Sequence, residues 1–261
     1  MSAAREAIRF DNVAKSFAEY RAVEAISLSV SAGAFLSVVG PSGCGKSTLL
    51  NMAAGLMNPT RGAVSIFGEP LSGINRKAGY MFQQDALLPW KTVEENICLG
   101  PQLRGIPQSE AIAQAHQWIE RVGLRGFAQR YPHQLSGGMR KRVAMAQTWI
   151  NNPEIIFMDE PFGALDVHTR LRMEGEILKL WAETKKTVMF VTHDLEEAIA
   201  LSDEVVVLSA GPASRIVGTY SVNLKRPRNL IDIKTEASFN DIYGLVWRDL
   251  REEVLRSYER T

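Results

Sequence analysis

The nine residues GPSGCGKST, at positions 40–48, combine three glycines with a lysine and hydroxyl side chains between two apolar runs. Glycine tolerates positive φ and has no side chain to keep a ligand away from the backbone, so such a turn can wrap around a ligand. Gly40, Gly45, Lys46 and Ser47 occupy the fixed positions of the pattern G-x-x-x-x-G-K-[ST]. The spacing predicts a phosphate-binding P-loop rather than a merely structural glycine-rich turn.

The residues of this loop have distinct predicted roles toward a nucleotide. The backbone N–H groups of residues 43–46 lie at the N-terminus of the following helix, where unpaired donors and the helix dipole favour an anion. Lys46 reaches the β- and γ-phosphates, Ser47 ligates Mg²⁺, and Thr48 supports the α-phosphate end. The predicted nucleotide-binding residues of the loop are Gly40, Pro41, Ser42, Gly43, Cys44, Gly45, Lys46, Ser47 and Thr48.

Two carboxylates, Asp159 and Glu160, follow directly on the apolar run IIFM. Successive strand positions point in different directions, so the two groups can have different roles. Asp159 is placed to hold Mg²⁺ opposite Ser47, and Glu160 is placed to face the γ-phosphate and polarise a water. The alternative is a solvated acidic strand end, but four apolar residues leading directly into the pair favour catalysis.

A second glycine-containing turn, LSGGMRKR at residues 135–142, precedes another helical pattern. It predicts a second helix N-terminus suited to phosphate in the same polypeptide. One nucleotide does not obviously need two such sites, so the residues alone leave the purpose of this turn open.

Four motifs in this order, GPSGCGKST, LSGGMRKR, IIFMDEPFGALD and VTHD, resemble those of ATP-binding cassette (ABC) ATPases. They correspond to the Walker A, signature, Walker B with D-loop, and switch-histidine motifs, and the match covers roughly residues 8–220. The resemblance implies two chains lying head to tail, with ATP between the P-loop of one and the signature turn of the other. The signature residues that would contact the opposite subunit's ATP are Leu135, Ser136, Gly137, Gly138 and Met139.

The resemblance also implies roles for single residues. Phe17 matches the aromatic that stacks on adenine, although an aromatic near a strand more often belongs to the core. Gln83 matches the Q-loop glutamine that contacts Mg²⁺ or the attacking water, and the adjacent Gln84 competes for this assignment. His193 matches the γ-phosphate contact that helps hold Glu160 and the water in position.

Two further positions concern the contacts of the signature and the D-loop. Asp166 matches the D-loop acid that bridges the two subunits. Gln147 departs from the family pattern, because arginine often occupies this place. The departure bears on packing behind the signature helix and does not put ATP use in doubt.

A finer resemblance is to the ATPases of nitrate, sulfonate and taurine importers, through MFQQDALLPWKTVEENI, FMDEPFGALDVHTR and LEEAIALSDEVVVLS. It implies transmembrane permease partners, a second ABC ATPase subunit that is the same chain or a paralogue, a periplasmic or lipid-anchored solute-binding protein, and a small anionic solute. Residues 85–100 would line the groove for a permease coupling helix, with Leu87, Leu88, Pro89 and Trp90 as the permease-facing residues. The alternative is that Leu88 and Trp90 merely pack the helical subdomain.

Composition and charge restrict the class of protein, its partners and its location. The chain of 261 residues, 46% hydrophobic and 23% charged, is typical of a globular protein with a sizeable core. A formal net charge of +1 without a long basic block disfavours a nucleic-acid partner. No run approaches the roughly 18 apolar residues that a bilayer requires, and MSAAREAIRFDN lacks the apolar region of a secretory signal. With the resemblance, this predicts a peripheral protein on the cytoplasmic side of the cell membrane.

Two other classes of function are weighed against a transporter ATPase. An ABC ATPase that acts on nucleic acid or ribosomes is disfavoured by the single cassette, the near-neutral charge and the missing coiled coil. A non-hydrolysing regulatory cassette is disfavoured because Glu160 and His193 occur together.

The elements that must position these residues follow from the hydrophobic pattern. The N-terminal third alternates like half-buried strands, and the runs IIFMDE and TVMFVTHD are typical of parallel strands buried on both faces. Residues from about 90 to 152 are predicted to be mostly helical, with Ser109 as the cap of a helix over residues 108–122. The predicted fold is α/β, a P-loop NTPase (RecA-like) core with an N-terminal antiparallel β subdomain and an inserted helical subdomain that carries the signature motif.

The chain is predicted to be a single ABC ATPase domain over residues 1–261, with a C-terminal helical extension at about 225–261. One helical stripe in this extension is apolar, and we expect it to pack onto the core or onto the partner subunit. The stripe consists of Phe239, Ile242, Val246, Leu250 and Val254.

Overall fold

The computed structural model describes residues 5–259, so the predicted domain limits at 1 and 261 lie outside the described residues. The strands within this range are β1 (Glu6–Phe17), β2 (Tyr20–Ser31), β3 (Phe35–Val39), β4 (Arg61–Ile66), β5 (Glu69–Pro70), β6 (Ala78–Met81), β7 (Ile155–Asp159), β8 (Thr187–Val191), β9 (Glu204–Leu208) and β10 (Ile216–Ser221). The α-helices are α1 (Lys46–Ala53), α2 (Val93–Leu103), α3 (Gln108–Arg121), α4 (Gly137–Trp149), α5 (Val167–Thr184), α6 (Leu195–Leu201) and α7 (Ala237–Glu259).

The smaller sheet is antiparallel and has the strand order β2-β1-β4-β5. Its long strands β1 and β2 alternate between buried and exposed side chains, as the period-2 pattern predicts, and Ile8, Phe10 and Val13 of β1 are buried in the core. This sheet is the antiparallel β subdomain that the sequence predicts.

The larger sheet has the order β10-β9-β3-β8-β7-β6 and is parallel except at β10, which pairs antiparallel with β9. Every residue of β8 is buried, because the sheet is covered on both faces. Ile156 and Phe190 lie in one hydrophobic cluster and Phe157 and Met189 lie in the other, so neighbouring residues of β7 and β8 face opposite sides. The mixed α/β fold is confirmed.

The carboxyl ends of four adjacent strands, β3, β8, β7 and β6, meet at one edge of this sheet. The P-loop follows β3, Glu160 follows β7, His193 comes two residues after β8, and Gln83 comes two residues after β6. The parallel register therefore gathers predicted site residues that are far apart in the sequence.

Helices α2, α3 and α4 lie between β6 and β7, within the stretch from about 90 to 152 that was predicted to be helical. A capping box holds the start of α2, since Thr92 accepts from the Glu95 N–H and the Glu95 carboxylate accepts from the Thr92 N–H. The prediction that Ser109 caps α3 was wrong. Pro107 occupies the N-cap position, two residues before Ser109, so the helix begins at Gln108 and Ser109 lies inside its first turn. The limits of a separate helical subdomain stay a prediction.

The C-terminal helix α7 packs against the core through the predicted stripe. Phe239, Val246 and Leu250 are buried, and Ile242 and Val254 pack against the same cluster. Within residues 225–236 the structure has a 3₁₀ turn at Ile233–Thr235 rather than an α-helix. No helix within residues 5–259 has the length and apolar character to cross a membrane.

Candidate nucleotide-binding and hydrolysis site

The P-loop is a left-handed turn that leads from β3 into α1. Gly45 has a φ of +92°, and a Cβ at this position would lie 2.5 Å from the Val23 side chain, so only glycine fits here. The Lys46 side chain is buried and its Nζ donates to the carbonyl oxygens of Gly40, at 2.8 Å, and Pro41, at 3.0 Å. The loop thus holds a fixed cation beside the N-terminus of α1, which suits a phosphate chain.

A cleft of 370 Å³ opens beside this loop. The predicted site residues that line it are Phe17, Ser42, Gly43, Gly45, Lys46, Ser47, Thr48, Gln83 and Glu160. The structure therefore places the P-loop, the predicted adenine-stacking residue and two predicted catalytic residues around one space. Cys44 is instead fully buried beneath the loop, and burial raises the pKa of its thiol, which agrees with a packing role.

Two exposed aromatic side chains stand at the rim of the cleft. Phe17 ends β1 and Tyr20 begins β2, so both lie at the hairpin turn, and the Tyr20 hydroxyl donates to the Gly43 carbonyl at 3.4 Å. The Lys15 Nζ lies 5.3 Å from the centre of the Phe17 ring. Tyr20 was not among the predicted nucleotide-binding residues, although its position just across a predicted hairpin turn from Phe17 could have indicated it.

Ser47 and Asp159 meet at the floor of the site, where the Ser47 Oγ donates to Asp159 Oδ1 at 2.9 Å. Burial raises the pKa of Asp159, the Ser47 hydrogen bond lowers it, and the neighbouring charge of Glu160 raises it again. A hydroxyl and a partly buried carboxylate, with a second carboxylate beside them, are the hard oxygen donors that suit Mg²⁺. The residues present therefore fit a magnesium ion.

Two of the predicted catalytic residues, Gln83 and His193, contact the third, Glu160. Its φ of +43° is unusual for a residue other than glycine, and its N–H donates to the Val191 carbonyl at 2.9 Å. Gln83 Nε2 donates to Glu160 Oε2 at 3.3 Å, and His193 Nδ1 lies 3.2 Å from the same oxygen. Gln83 thus contacts Glu160 rather than the pair formed by Ser47 and Asp159.

The signature turn packs against the first turn of α5, which follows the D-loop, and within the described residues it does not line the cleft of its own chain. Ser136 caps α4 by accepting from the Met139 N–H at 3.3 Å, and Asp166 caps α5 by accepting from the Thr169 N–H at 3.0 Å. Contact with Thr169 lowers the pKa of Asp166. A Cβ at Gly138 would lie 2.6 Å from the Thr169 side chain, so the two turns are in close contact. In the described part of the chain, residues 135–139 do not line the nucleotide cleft.

Two cations of α4, which the sequence analysis left without a role, tie the signature helix to the Q-loop. The buried Lys141 donates to the Gln83 carbonyl at 2.7 Å and lies 3.2 Å from Asp85, and Arg140 donates to the same carboxylate at 2.9 Å. The run RKR on an otherwise apolar helix was a signal for such contacts.

Arg170 of α5 connects the D-loop with the switch-histidine loop. It donates to the Leu165 carbonyl and to Asp194, each at 3.3 Å, and lies 3.5 Å from Glu197. Glu197 in turn accepts from the Thr192 hydroxyl at 2.6 Å, directly before the switch histidine. The sequence around Arg170 did not indicate these contacts, because an arginine on an amphipathic helix is a common surface residue.

Glu174 is a second buried carboxylate behind the same loop and is 3% exposed. Burial and the negative charge of Glu197 raise its pKa to about 7, Asp194 adds to this effect, and Lys234 and Arg170 oppose it. The residues behind the site thus include a buried carboxyl group, that of Glu174, whose pKa lies near neutral pH.

The segment predicted to face a permease forms a loop held by one buried side chain. The Asn96 amide donates to the carbonyls of Leu88 and Lys91, at 3.1 and 3.0 Å, and its oxygen accepts from the Leu88 N–H. Leu87 and Leu88 are half-buried, Pro89 is exposed, and Trp90 is 69% exposed. Of the two residues named in the alternative, Leu88 is therefore partly packed, whereas Trp90 does not pack the helical region.

A groove of 290 Å³ lies between the Q-loop and α4. Its lining includes Asp85, Arg104 and Gln147 and does not include residues 87–90. Gln147 therefore faces this groove. The sequence predicted instead that this residue would affect packing behind the signature helix.

The fold and the site together define a nucleotide-binding ATPase of the P-loop class. Its sequence matches the family described as ABC transporter over residues 23–163, more than half of the chain. The chain belongs to the ABC transporter family of ATP-binding proteins, and it is accordingly an ATP-binding subunit with ATPase activity.

Relatives and solved structures agree with this family. An uncharacterised ABC transporter ATP-binding protein of Methanocaldococcus jannaschii is 46% identical over 96% of this chain and 93% of its own length. The taurine import ATP-binding protein TauB of Escherichia coli K12 is 44% identical over 78% of this chain and 80% of its own length. A dimeric structure of the bacterial ABC transporter cassette MJ0796 is 33% identical, with a TM-score of 0.74, and covers 84% of this chain and 100% of that one.

Proposed function

We propose that this chain is the ATP-hydrolysing subunit of an ABC importer. Two ATPase subunits bind and hydrolyse ATP at a head-to-tail interface and drive uptake of a small anionic solute through permease subunits. The observation that carries the proposal is the convergence of Gln83 and His193 on the Glu160 carboxylate, in the same cleft as the P-loop. A cassette that only binds nucleotide has no use for a carboxylate held in this way.

The residues of the site have separate roles in binding and hydrolysing ATP. Lys46 and the N–H groups of the loop bind the phosphates, and Phe17, with Tyr20 beside it, offers a face to adenine. Ser47 and Asp159 would hold Mg²⁺, which would neutralise phosphate charge.

Glu160 acts on the attacking water. Its carboxylate orients the water and accepts a proton as the water attacks the γ-phosphate, and the cleaved products are ADP and phosphate. Gln83 and His193 hold that carboxylate in place, because both contact the same oxygen.

The head-to-tail arrangement is supported by the position of the signature turn. Residues 135–139 have the capped helix N-terminus that suits a phosphate, yet they lie away from the cleft of their own chain. A second copy, or a related ATPase, supplies the missing partner surface. The dimeric structure of the MJ0796 cassette, at 33% identity, supports the pairing of two such subunits.

The role in import is supported by the identity of 44% to the taurine import protein and by the exposed Trp90 beside the Q-loop. Lys141 and Arg140 give a contact path from the Q-loop to the signature helix, so a permease on that loop would sense the ATP state. The proposed complex places this chain at the cytoplasmic face of the membrane and includes a periplasmic or lipid-anchored solute-binding protein. A taurine-like anion is the proposed solute class.

The substitution Glu160→Gln tests the hydrolytic role. It keeps the size of the side chain and removes the group that accepts the proton, so ATP hydrolysis should fall by about 10² to 10⁴ while ATP binding persists. Size-exclusion chromatography with MgATP should then show a dimer that the wild type forms only transiently. Glu154→Gln, at an exposed position before the same strand, is the matched control and should hydrolyse ATP normally.

Hydrolysis at the wild-type rate in Glu160→Gln would show that this carboxylate is not the base. A variant that binds ATP without hydrolysing it and remains a monomer, both alone and with permease, would contradict the head-to-tail arrangement.

A further inference from the structure

A second cleft, of 430 Å³, lies directly beside the nucleotide cleft. Residues 40–42 of the P-loop and His193 form one wall, and Ser42 borders both clefts. The space is therefore continuous with the face on which the γ-phosphate and the signature turn of a second copy would meet.

The opposite wall is a stripe of α7. Trp247, Leu250, Val254 and Tyr258 follow at intervals of three and four residues, so they share one helical face. Leu250 and Val254 form the inner part, whereas Trp247 is 41% exposed and Tyr258 is 74% exposed. Large exposed aromatic side chains at the border of a cleft with apolar and polar lining are typical of an interaction surface.

The core holds α7 in a fixed position relative to the P-loop. Glu253 is buried and accepts from the Ala210 N–H at 2.8 Å, just after β9. Leu208, the last residue of β9, reaches the loop, since a Cβ at Gly40 would lie 3.0 Å from its carbonyl oxygen. The aromatic wall is therefore a preformed part of the face that carries the P-loop.

The position of the D-loop indicates which part of a second copy arrives there. Within one chain the D-loop begins beside the catalytic residues, because a Cβ at Gly163 would lie 3.7 Å from the His193 ring. It ends at α5, whose first turn packs against Gly138 of the signature turn through Thr169. The D-loop thus joins the catalytic side of one nucleotide to the signature that serves the other.

In a two-fold pair each D-loop lies between the two nucleotides, close to the symmetry axis. When the signature turn of the second copy covers the nucleotide cleft, its D-loop must reach the catalytic side of that cleft, next to Ser42 and His193. Val167, the first residue of α5 and directly after the D-loop, is an exposed apolar residue at 67% exposure, so its side chain is available for a contact with a second copy.

We propose that the cleft between the P-loop and α7 is the docking site for the D-loop and the first turn of α5 of a second copy, with Val167 against Trp247 and Tyr258. The C-terminal helix is then part of the ATP-dependent dimer interface. This inference rests on the proposed head-to-tail arrangement and adds a contact surface to it.

The first experiment compares Trp247→Glu with Leu245→Glu in the Glu160→Gln chain. Leu245 is also an exposed apolar residue of α7, at 50% exposure, but it does not line the cleft. Sedimentation with MgATP should show a dimer dissociation constant raised about tenfold or more by Trp247→Glu and changed less than about twofold by Leu245→Glu. The affinity of each monomer for ATP and its thermal midpoint should match those of the parent chain.

The second experiment is a cross-link that remains decisive if Trp247→Glu folds poorly. A Val167→Cys chain is mixed with a Tyr258→Cys chain, both in the Glu160→Gln background, and oxidised with copper phenanthroline, which takes two electrons from the thiol pair. The chain's own two cysteines, Cys44 and Cys98, are buried and do not compete. A disulfide that joins positions 167 and 258, identified by mass spectrometry of the digested dimer, should form with MgATP and not without nucleotide, and Leu245→Cys in place of Tyr258→Cys should give no disulfide between positions 167 and 245.

The outcomes separate this inference from the proposed function. If Glu160→Gln stays a monomer with ATP, the head-to-tail arrangement itself fails and the docking site fails with it. If Glu160→Gln dimerises but Trp247→Glu dimerises equally well and the cysteine pair gives no cross-link, the docking site is wrong while the dimer stands. Loss of permease capture with unchanged dimerisation in Trp247→Glu would also overturn it, in favour of a permease contact.

Discussion

The substitution Glu174→Gln should stabilise this protein at alkaline pH and have little effect at acid pH. Glu174 is 3% exposed and lies against Glu197, whose charge, with burial, raises the pKa of Glu174 to about 7. Glutamine resembles the protonated carboxyl in size and hydrogen-bonding capacity and never ionises. The substitution therefore removes the cost of an ionised carboxylate in the interior and keeps the packing.

The size of the effect follows from proton linkage. In the unfolded chain the Glu174 carboxyl ionises near its ordinary pKa of 4.5, and in the folded protein it ionises at about 7. As the pH rises between these values the unfolded state loses its proton first, so the free energy of unfolding of the wild type falls. At about 1.4 kcal/mol per pH unit, the loss amounts to about 3 kcal/mol and is complete above pH 7.

Urea unfolding at about pH 5 and about pH 8 measures this difference. Glu174→Gln should exceed the wild type by about 3 kcal/mol at the higher pH and by less than about 1 kcal/mol at the lower pH. Other groups titrate over the same range, but they are common to both chains, so the difference between the chains isolates this position. Glu69→Gln, at an exposed strand residue, should show no such change between the two pH values.

A gain that is equal at both pH values would mean that Glu174 does not titrate between them. A loss of stability at the higher pH would mean that the carboxylate is ionised in the folded protein and stabilised by Lys234 or Arg170. Either result would refute the argument that burial and Glu197 dominate its environment.

Three further predictions concern the loop, the permease-facing segment and a helix start. Lys46→Ala should weaken binding of a fluorescent ATP analogue by more than about tenfold, because it removes the cation that the loop holds beside the phosphates; an unchanged affinity in a folded variant would rule out the P-loop assignment. Trp90→Glu should leave the isolated subunit folded and reduce capture of a co-expressed permease, and normal capture with normal uptake would count against the coupling role. Thr92→Ala should lower the unfolding free energy by about 1 kcal/mol, measured by urea unfolding, since it breaks the capping box with Glu95.

Much of the fold could be predicted because burial leaves a periodic pattern in the sequence. The runs that became β7 and β8 are short, apolar and followed by polar residues, and such runs are typical of strands covered on both faces. The stripe of α7 was readable for the same reason. The start of α3 was not, because both Pro107 and Ser109 are suited to a helix start and only the backbone of the folded chain decides between them.

The site was predictable residue by residue but not contact by contact. Motif spacing predicted Gln83, Glu160 and His193 as catalytic residues. It could not predict that Gln83 and His193 contact the same oxygen of Glu160, because this depends on the order of strands in the sheet, which no local sequence pattern contains. Arg170 was missed because its charged partners, Asp194 and Glu197, lie far from it in sequence, and a charge on an amphipathic helix usually faces solvent. The predicted stripe of α7 included Leu250 and Val254 of the cleft wall but not Trp247 and Tyr258, whose position beside the P-loop depends on how α7 packs on the core.

The order of strands in the larger sheet has a consequence for how the protein is made. β8 follows β7 in the chain but inserts between β3 and β7, so Ser47 and Asp159, which are 112 residues apart, meet only once β8 is in place. Contacts of such sequence separation form late in folding. On the ribosome the P-loop is synthesised long before β8, and a chain interrupted before β8 lacks both His193 and the strand that lies between β3 and β7. We therefore expect ATP hydrolysis only from chains that include β8 and His193.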